Sequence, residues 1–277
     1  MAAPGGPPLL RAADEPAPFE VYNETGAAPV LLVCDHASRF IPRALGGLGL
    51  GEAELCRHIA WDIGIADVTK GLARRLDATA VLSHFSRLVV DPNRALGDDS
   101  LVPVVSDGVA VPGNRAVTPE ARAARVAEFH APYHAAVEQA LTATMDRPTS
   151  PRSGASANPA PALISMHSFT PVMDGIERPW QIGILWDHDG RLPLPLMEAL
   201  RARGIAVGDN LPYSGHDVQG YTLRRHAEAH GLPNVLIEVR QDLIDTHHGA
   251  AEWVEVLGEA LIEVLAGLGL RDGIPKT

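Results

Sequence analysis

The apolar positions of the chain fall into short unbroken runs separated by stretches of helical period. Val30-Leu31-Leu32-Val33-Cys34 is continuous and stops at the polar pair Asp35-His36. A strand buried on both faces has this pattern, because neither face needs polar residues. From Asp62, read as an N-cap, Ile65, Val68, Leu72 and Leu76 recur at helical spacing, and Thr79-Ala80-Val81-Leu82-Ser83 then reads as a second strand. Arg87–Val90 reads as a further strand that ends before Pro92. Thr118-Pro119-Glu120 combines an N-cap, a first-turn proline and an acid suited to the helix dipole, so a helix is expected from there to Met145, disturbed at Pro132. Ala162–Met166, Gln181–Leu185 and Val235–Val239 are apolar strand candidates, separated by helices over 193–203 and 221–230. A last helix runs from Thr246 to Leu268, with Trp253, Leu257, Leu261 and Leu265 on one stripe.

Strands alternating with helices predict an α/β fold, a mostly parallel or mixed open sheet with helices on both faces. Residues 1–18, rich in Pro, Ala and Gly without a period, read as a loose N-terminal arm. The stretch 146–161, DRPTSPRSGASANPAP, is linker-like. Strands of the same character resume after it, so it reads as a mobile loop within a single domain spanning 19–277.

Composition narrows the function. With 46% hydrophobic and 21% charged residues over 277 positions, a disordered chain is excluded. Thirty-four acidic residues against 23 basic ones give −11. That charge repels a phosphate backbone and an anionic bilayer, and no basic cluster offsets it, so neither a nucleic acid nor a membrane is expected as a partner. Cys34 and Cys56 are too few for a disulfide framework or a four-cysteine zinc site, whereas 12 histidines are a large reserve of ligands and bases. No signal-peptide pattern and no apolar run of membrane-spanning length occur, which predicts a cytoplasmic protein with reduced thiols.

The polar residues of interest fall just after strands: His36, Asn93-Arg94, His167, Asp187-His188, and Glu238 with Arg240. Carboxyl ends of strands in an open α/β sheet converge on one crevice. Two histidines and a carboxylate arriving there suit a catalytic zinc with a fourth position left for water, and a second carboxylate can take that water's proton. Arg87, Arg94 and Arg240 are available to fork a substrate carboxylate, and Asn93 to donate to it or to an oxyanion. The chain has no P-loop, no GxGxxG after a strand, no HExxH and no GxSxG. Ser86, Ser165 and Ser168 lack a Gly-flanked elbow, and Cys34 reads more readily as a core thiol than as a nucleophile. His247-His248 reads as solvated surface.

Six segments in order, VLLVCDHASRFIP, HIAWDIG, SRLVVDPNR, ISMHSF, PYSGHDVQGYTLRRH and IEVRQDL, resemble the N-formylglutamate amidohydrolases and their close relatives over residues 29–265. That family is similar in turn to the zinc carboxypeptidase and aspartoacylase group. The resemblance implies a phosphorylase/hydrolase-like fold and metal-dependent hydrolysis of the linear amide of a small anionic amino-acid derivative. N-formyl-L-glutamate, cleaved to formate and L-glutamate, is the first expectation. It also implies that His36 and His167 are metal histidines holding Zn²⁺ or another divalent ion. Asn93 and Arg94 then bind the substrate carboxylate, and Glu238 is the general base; Arg87, Tyr213 and Arg240 are further substrate-binding candidates. One position departs from the pattern: the metal glutamate expected three residues after the first histidine is Arg39. Asp62 is the first substitute and Asp35 the second, although Asp62 also reads as a plain helix cap. The rival readings are a hydrolase of another N-acyl amino acid or peptide end, and a non-catalytic binder of an anionic metabolite that lost its metal through Arg39. Loops 95–117 and 209–221 are expected to set the pocket size.

Overall fold

A computed structural model describes residues 10–147, 160–216, 220–271 and 273–275. The chain runs through β1 (Phe19–Tyr22), β2 (Val30–Cys34), α1 (Glu52–Leu55), α2 (Ile65–Leu76), β3 (Thr79–Ser83), the hairpin β4 (Val105–Ser106) and β5 (Val109–Ala110), α3 (Pro119–Arg125) and α4 (Ala131–Met145). It continues through β6 (Ala162–Phe169), the hairpin β7 (Val172–Met173) and β8 (Ile176–Glu177), β9 (Ile182–Leu185), α5 (Pro193–Ala202), β10 (Val207–Asp209), α6 (Tyr221–His226), β11 (Asn234–Arg240) and α7 (His247–Gly267). The central sheet has the order β1-β3-β2-β6-β11-β9-β10. Its middle, β3-β2-β6-β11, is parallel. At the flanks β1 opposes β3 and β9 opposes β11, so the sheet is mixed and open.

Period two along the strands decides what each face carries. Val30, Leu32 and Cys34 of β2, Ile164 and Met166 of β6, and Val235, Ile237 and Val239 of β11 pack under α2, α5 and α7. Leu31, Val33, Leu163 and Leu236 face the other way, against Tyr133 and Val137 of α4 and Leu223 of α6. Each such side chain, taken out of water, contributes about 1.5–3 kcal/mol. Continuing the alternation to the strand ends puts Asp35, Ser165, His167 and Glu238 on the α4/α6 face. Cys34 lies on the opposite face, fully buried, and burial pushes its thiol well up, so it is core and not a nucleophile.

Several elements differ from the sequence expectation for local reasons. Arg87–Val90 forms turns, because the Leu88 and Val89 carbonyls accept from Asn114 Nδ2 (2.8 Å) and Arg125 Nη1 (3.0 Å) instead of from a neighbouring strand. The disturbance near Pro132 is a π-helical turn, Val126–His130, ahead of a residue that has no N–H to return to the preceding turn. The 221–230 helix ends at His226 and passes into a tight turn, Glu228–His230. Asp62 does not cap α2. The helix begins after Gly64, whose φ is 79° and where a Cβ would stand 2.0 Å from the Ile244 carbonyl oxygen, a site open only to glycine. The Asp62 carboxylate is thereby left for other partners.

Within the segment read as an arm, Leu10 and Arg11 donate their N–H groups to the Glu128 carboxylate (2.8 and 3.2 Å). Residues 1–9 and, within the loop 146–161, residues 148–159 lie outside the described residues. Among the described residues no helix is long and apolar enough to cross a membrane.

Candidate functional site

The carboxyl ends of β2, β6 and β11 bring three chain segments to one crevice. Glu238 of β11 stands directly opposite His167 of β6 in the parallel register, so both side chains rise from the same face. His36 lies two residues past β2, and its carbonyl accepts the Asp62 N–H (2.9 Å), which draws the start of the α2 segment to the same place. His36 Nε2 lies 2.8 Å from Asp91 Oδ1. A carboxylate only accepts, so Nε2 carries the proton and Nδ1 is left bare. That Nδ1 is buried, has no hydrogen-bond partner among the described residues, and stands 3.4 Å from Asp62 Oδ2. His167 is arranged in parallel: Nε2 lies 3.2 Å from Asp35 Oδ2, and Nδ1 lies 2.8 Å from Asp62 Oδ2. The second oxygen of Asp35 accepts from Tyr133 Oη (2.8 Å) and Thr222 Oγ1 (2.9 Å).

Burial opposes charge on His167, Asp62 and Glu238, and the balance against their neighbours sets each outcome. For His167, burial works against protonation, but Asp35 and Asp62 outweigh it and push the imidazole up to about 10. For Asp62, burial is likewise overcome, and the two histidines hold the carboxyl well below the usual carboxylate range. Glu238 goes the other way. Burial raises it to about 7, with His167 pulling down and Asp62 pushing up. It is 7% exposed, and its Oε2 is buried without a hydrogen-bond partner among the described residues.

His36, Asp62 and His167 each offer one ligand atom, and these atoms lie within 4.8 Å of one another. Two atoms bonded to one tetrahedral zinc at about 2.0 Å stand about 3.3 Å apart, and the 3.4 and 2.8 Å separations to Asp62 Oδ2 bracket that value. The bare Nδ1 of His36 is a lone pair buried with nothing to accept from. The donor set therefore fits a divalent ion, with both rings held from behind by carboxylates as metal-ligating histidines commonly are. Arg39 takes no part: its guanidinium lies against Glu52 Oε1 (2.5 Å) and Cys56 Sγ (3.0 Å).

A cavity of about 620 Å³ opens over the cluster and is lined by His36, Asp62, His167 and Glu238 together with Arg87, Asn93, Arg94 and Tyr213. Arg87 donates to Asp91 Oδ2 (3.0 Å) and stands 3.6 Å from Asp62 Oδ1. Asn93 Oδ1 accepts the Thr222 N–H (3.1 Å), which leaves its amide NH₂ as the group offered to a ligand. Arg94 donates to Ser100 Oγ and to the Asn93 carbonyl, each at 3.0 Å. Tyr213 receives a hydrogen bond from Arg178 Nη1 (3.0 Å) at the mouth.

Arg240 is not brought to the cavity. Its guanidinium is spent on Asp242 (2.7 and 3.2 Å) and on the Arg178, Pro179 and Trp180 carbonyls. Asp187 lines the cavity, and exposed His188 lies 3.3 Å from it. His247 and His248 are exposed. Arg224 and Trp186 also line the cavity and were not singled out by the sequence reading. Arg224 had a signal in the run TLRRH, two residues after the Thr222 that contacts Asp35.

The sequence profile of the family described as N-formylglutamate amidohydrolase matches residues 28–245, a span that contains the whole cluster. The chain belongs to that family. It is accordingly a hydrolase, and its mixed α/β sheet is shared with solved structures. Gene product Atu2144 of Agrobacterium tumefaciens is 34% identical, covering 94% of this chain and 99% of that one with a TM-score of 0.86. An N-formylglutamate amidohydrolase from Ralstonia eutropha JMP134 is 18% identical, covering 91% and 98% with a TM-score of 0.61, and shares the fold. Among curated proteins none matches the chain.

Proposed function

We propose that this N-formylglutamate amidohydrolase family member cleaves the amide of an N-formyl amino acid, N-formyl-L-glutamate in the first place, to formate and the free amino acid. The observation that supports it best is the pairing of two orphaned buried atoms, His36 Nδ1 and Glu238 Oε2, in one cavity of a chain from this family. Zn²⁺, or another divalent ion, held by His36, Asp62 and His167, would supply Lewis-acid polarisation and a water of lowered pKa. Glu238, kept near neutrality by burial, takes the proton of the attacking water and passes it to the departing amine nitrogen. The Asn93 amide NH₂ donates to the oxyanion or to the substrate carboxylate, and Arg87 and Arg94 attract that carboxylate into the cavity.

The size of the cavity and its apolar side, which includes Leu185, Trp186, Leu211 and Pro212, favour a second reading in which a bulkier N-acyl amino acid is the substrate. Formate and amine release from N-formyl-L-glutamate, compared with kcat/KM for longer N-acyl glutamates and neutral N-formyl amino acids, tests the proposal. A preference for N-formyl-L-glutamate supports the first reading. Preference for a longer acyl group transfers the assignment to the second, and no cleavage of any of them overturns both.

A further inference from the structure

We propose that Asp35 and Asp91 are a matched pair of positioning residues, each fixing one metal-facing histidine through its Nε2–H, and that Asp91 also ties its histidine to the substrate-binding arm. The inference rests on the metal reading above and assigns a role to two carboxylates that hold no metal themselves. Both carboxylates are buried, at 0% and 3% exposure, and their hydrogen bonds explain why they stay there. Asp35 Oδ2 holds His167 Nε2, while its Oδ1 is itself held by Tyr133 and Thr222. Asp91 Oδ1 holds His36 Nε2 and also accepts the Asn93 N–H (2.9 Å), while its Oδ2 takes Arg87 Nη2 (3.0 Å).

The consequence is a fixed choice of ring nitrogen. In both imidazoles Nδ1 is the atom turned toward Asp62 Oδ2, and when a divalent ion draws on Nδ1 the carboxylate behind Nε2 keeps the proton there. The same carboxylates add electron density to the rings and keep them from rotating. The two differ in reach. Asp91 touches His36, Asn93 and Arg87 at once, so the metal side and the carboxylate-binding side share one anchor. Asp35 reaches Asn93 only through Thr222, whose N–H donates to Asn93 Oδ1.

The test is zinc affinity, measured by competition with a chromophoric chelator on the full-length protein and on Asp35→Asn and Asp91→Asn. An amide can turn its NH₂ toward the ring and has no charge, so both variants should bind zinc about 10- to 100-fold more weakly. With zinc saturating, Asp91→Asn alone should also raise KM for an anionic N-acyl amino acid relative to its α-amide. In the zinc-loaded protein, nitrogen NMR of the histidine rings should show the Nε2–H form in the wild type and a mixture of ring forms in the variants. Folded variants with wild-type zinc affinity and ring signatures overturn the positioning role while leaving the hydrolase reading in place. A wild type that takes up no divalent ion overturns the metal reading and this inference with it. Should Asp35→Asn fail to fold, Tyr133→Phe loosens the same carboxylate from behind. It should weaken zinc binding in the same direction by less, and an unchanged affinity contradicts the proposal.

Discussion

A buried carboxyl group with an unpartnered oxygen costs stability, and Glu238 carries that cost beside the histidine cluster. Glu238→Gln preserves shape and removes the ability to accept a proton, so kcat should fall by about 10² to 10⁴ while bound zinc and melting temperature stay close to wild type. An unchanged kcat would make Glu238 structural. In that case a partner other than Arg240 would have to be found, because Arg240 is committed to Asp242. Specificity is tested at Arg94, which lines the cavity while also donating to Ser100 and the Asn93 carbonyl. Replacing its planar fork by a point charge in Arg94→Lys should raise KM for an anionic substrate about ten- to hundred-fold more than for its α-amide, the worth of one charge-assisted hydrogen bond. If Arg94 only braces its loop, stability falls and the ratio of kcat/KM between the two substrates does not move.

Between elements, the loop carrying Asp91, Asn93 and Arg94 is held from α4 and the π-helical turn before it. His134 Nε2 donates to the Pro92 carbonyl (2.9 Å) and its Nδ1 accepts from His226 of α6 (2.9 Å), while His130 Nε2 donates to the Arg94 carbonyl (3.0 Å). Burial lowers His134 to about 3 and His226 to about 4, against 6.5 for a free imidazole. At these two rings the unfolded chain therefore binds more protons than the folded one below pH 6.5. The stability these neutral rings give is complete above that pH and is lost as pH falls toward about 4 and then 3. Between pH 7.5 and 5 the urea midpoint of His226→Gln, which keeps a donor to His134 without a titrating ring, should fall less than that of the wild type. A variant with the wild-type slope would contradict the linkage.

Across the whole molecule, what could be read in advance was whatever is fixed by burial on both faces of a strand. Val30–Cys34 and Thr79–Ser83 were legible to the residue for that reason. Arg87–Val90 looked the same, but its carbonyls go to Asn114 and Arg125 from distant segments, which no local pattern reveals. The short strands β1 and β10 at the sheet edges carry too few residues to show a period. At the site, His36, His167 and Glu238 stood out by residue type and position and Asp62 only through the family resemblance, and the four do converge. Arg240 shares the parity of Glu238 but sits where the strand ends, within reach of Asp242 two residues on. Asp91 as a holder of His36 depends on a side-chain direction set by tertiary packing.

The central claim is that the His36, Asp62 and His167 set and Glu238 work as one metal-dependent amide-cleaving centre. The measurement that meets it most directly is formate release from N-formyl-L-glutamate by protein stripped of metal with a chelator, then titrated with Zn²⁺ while bound zinc is quantified. The account predicts no turnover in the stripped protein and recovery that saturates at one zinc per chain, with neither binding nor recovery in His36→Ala. Full activity in a rigorously metal-free preparation would contradict it.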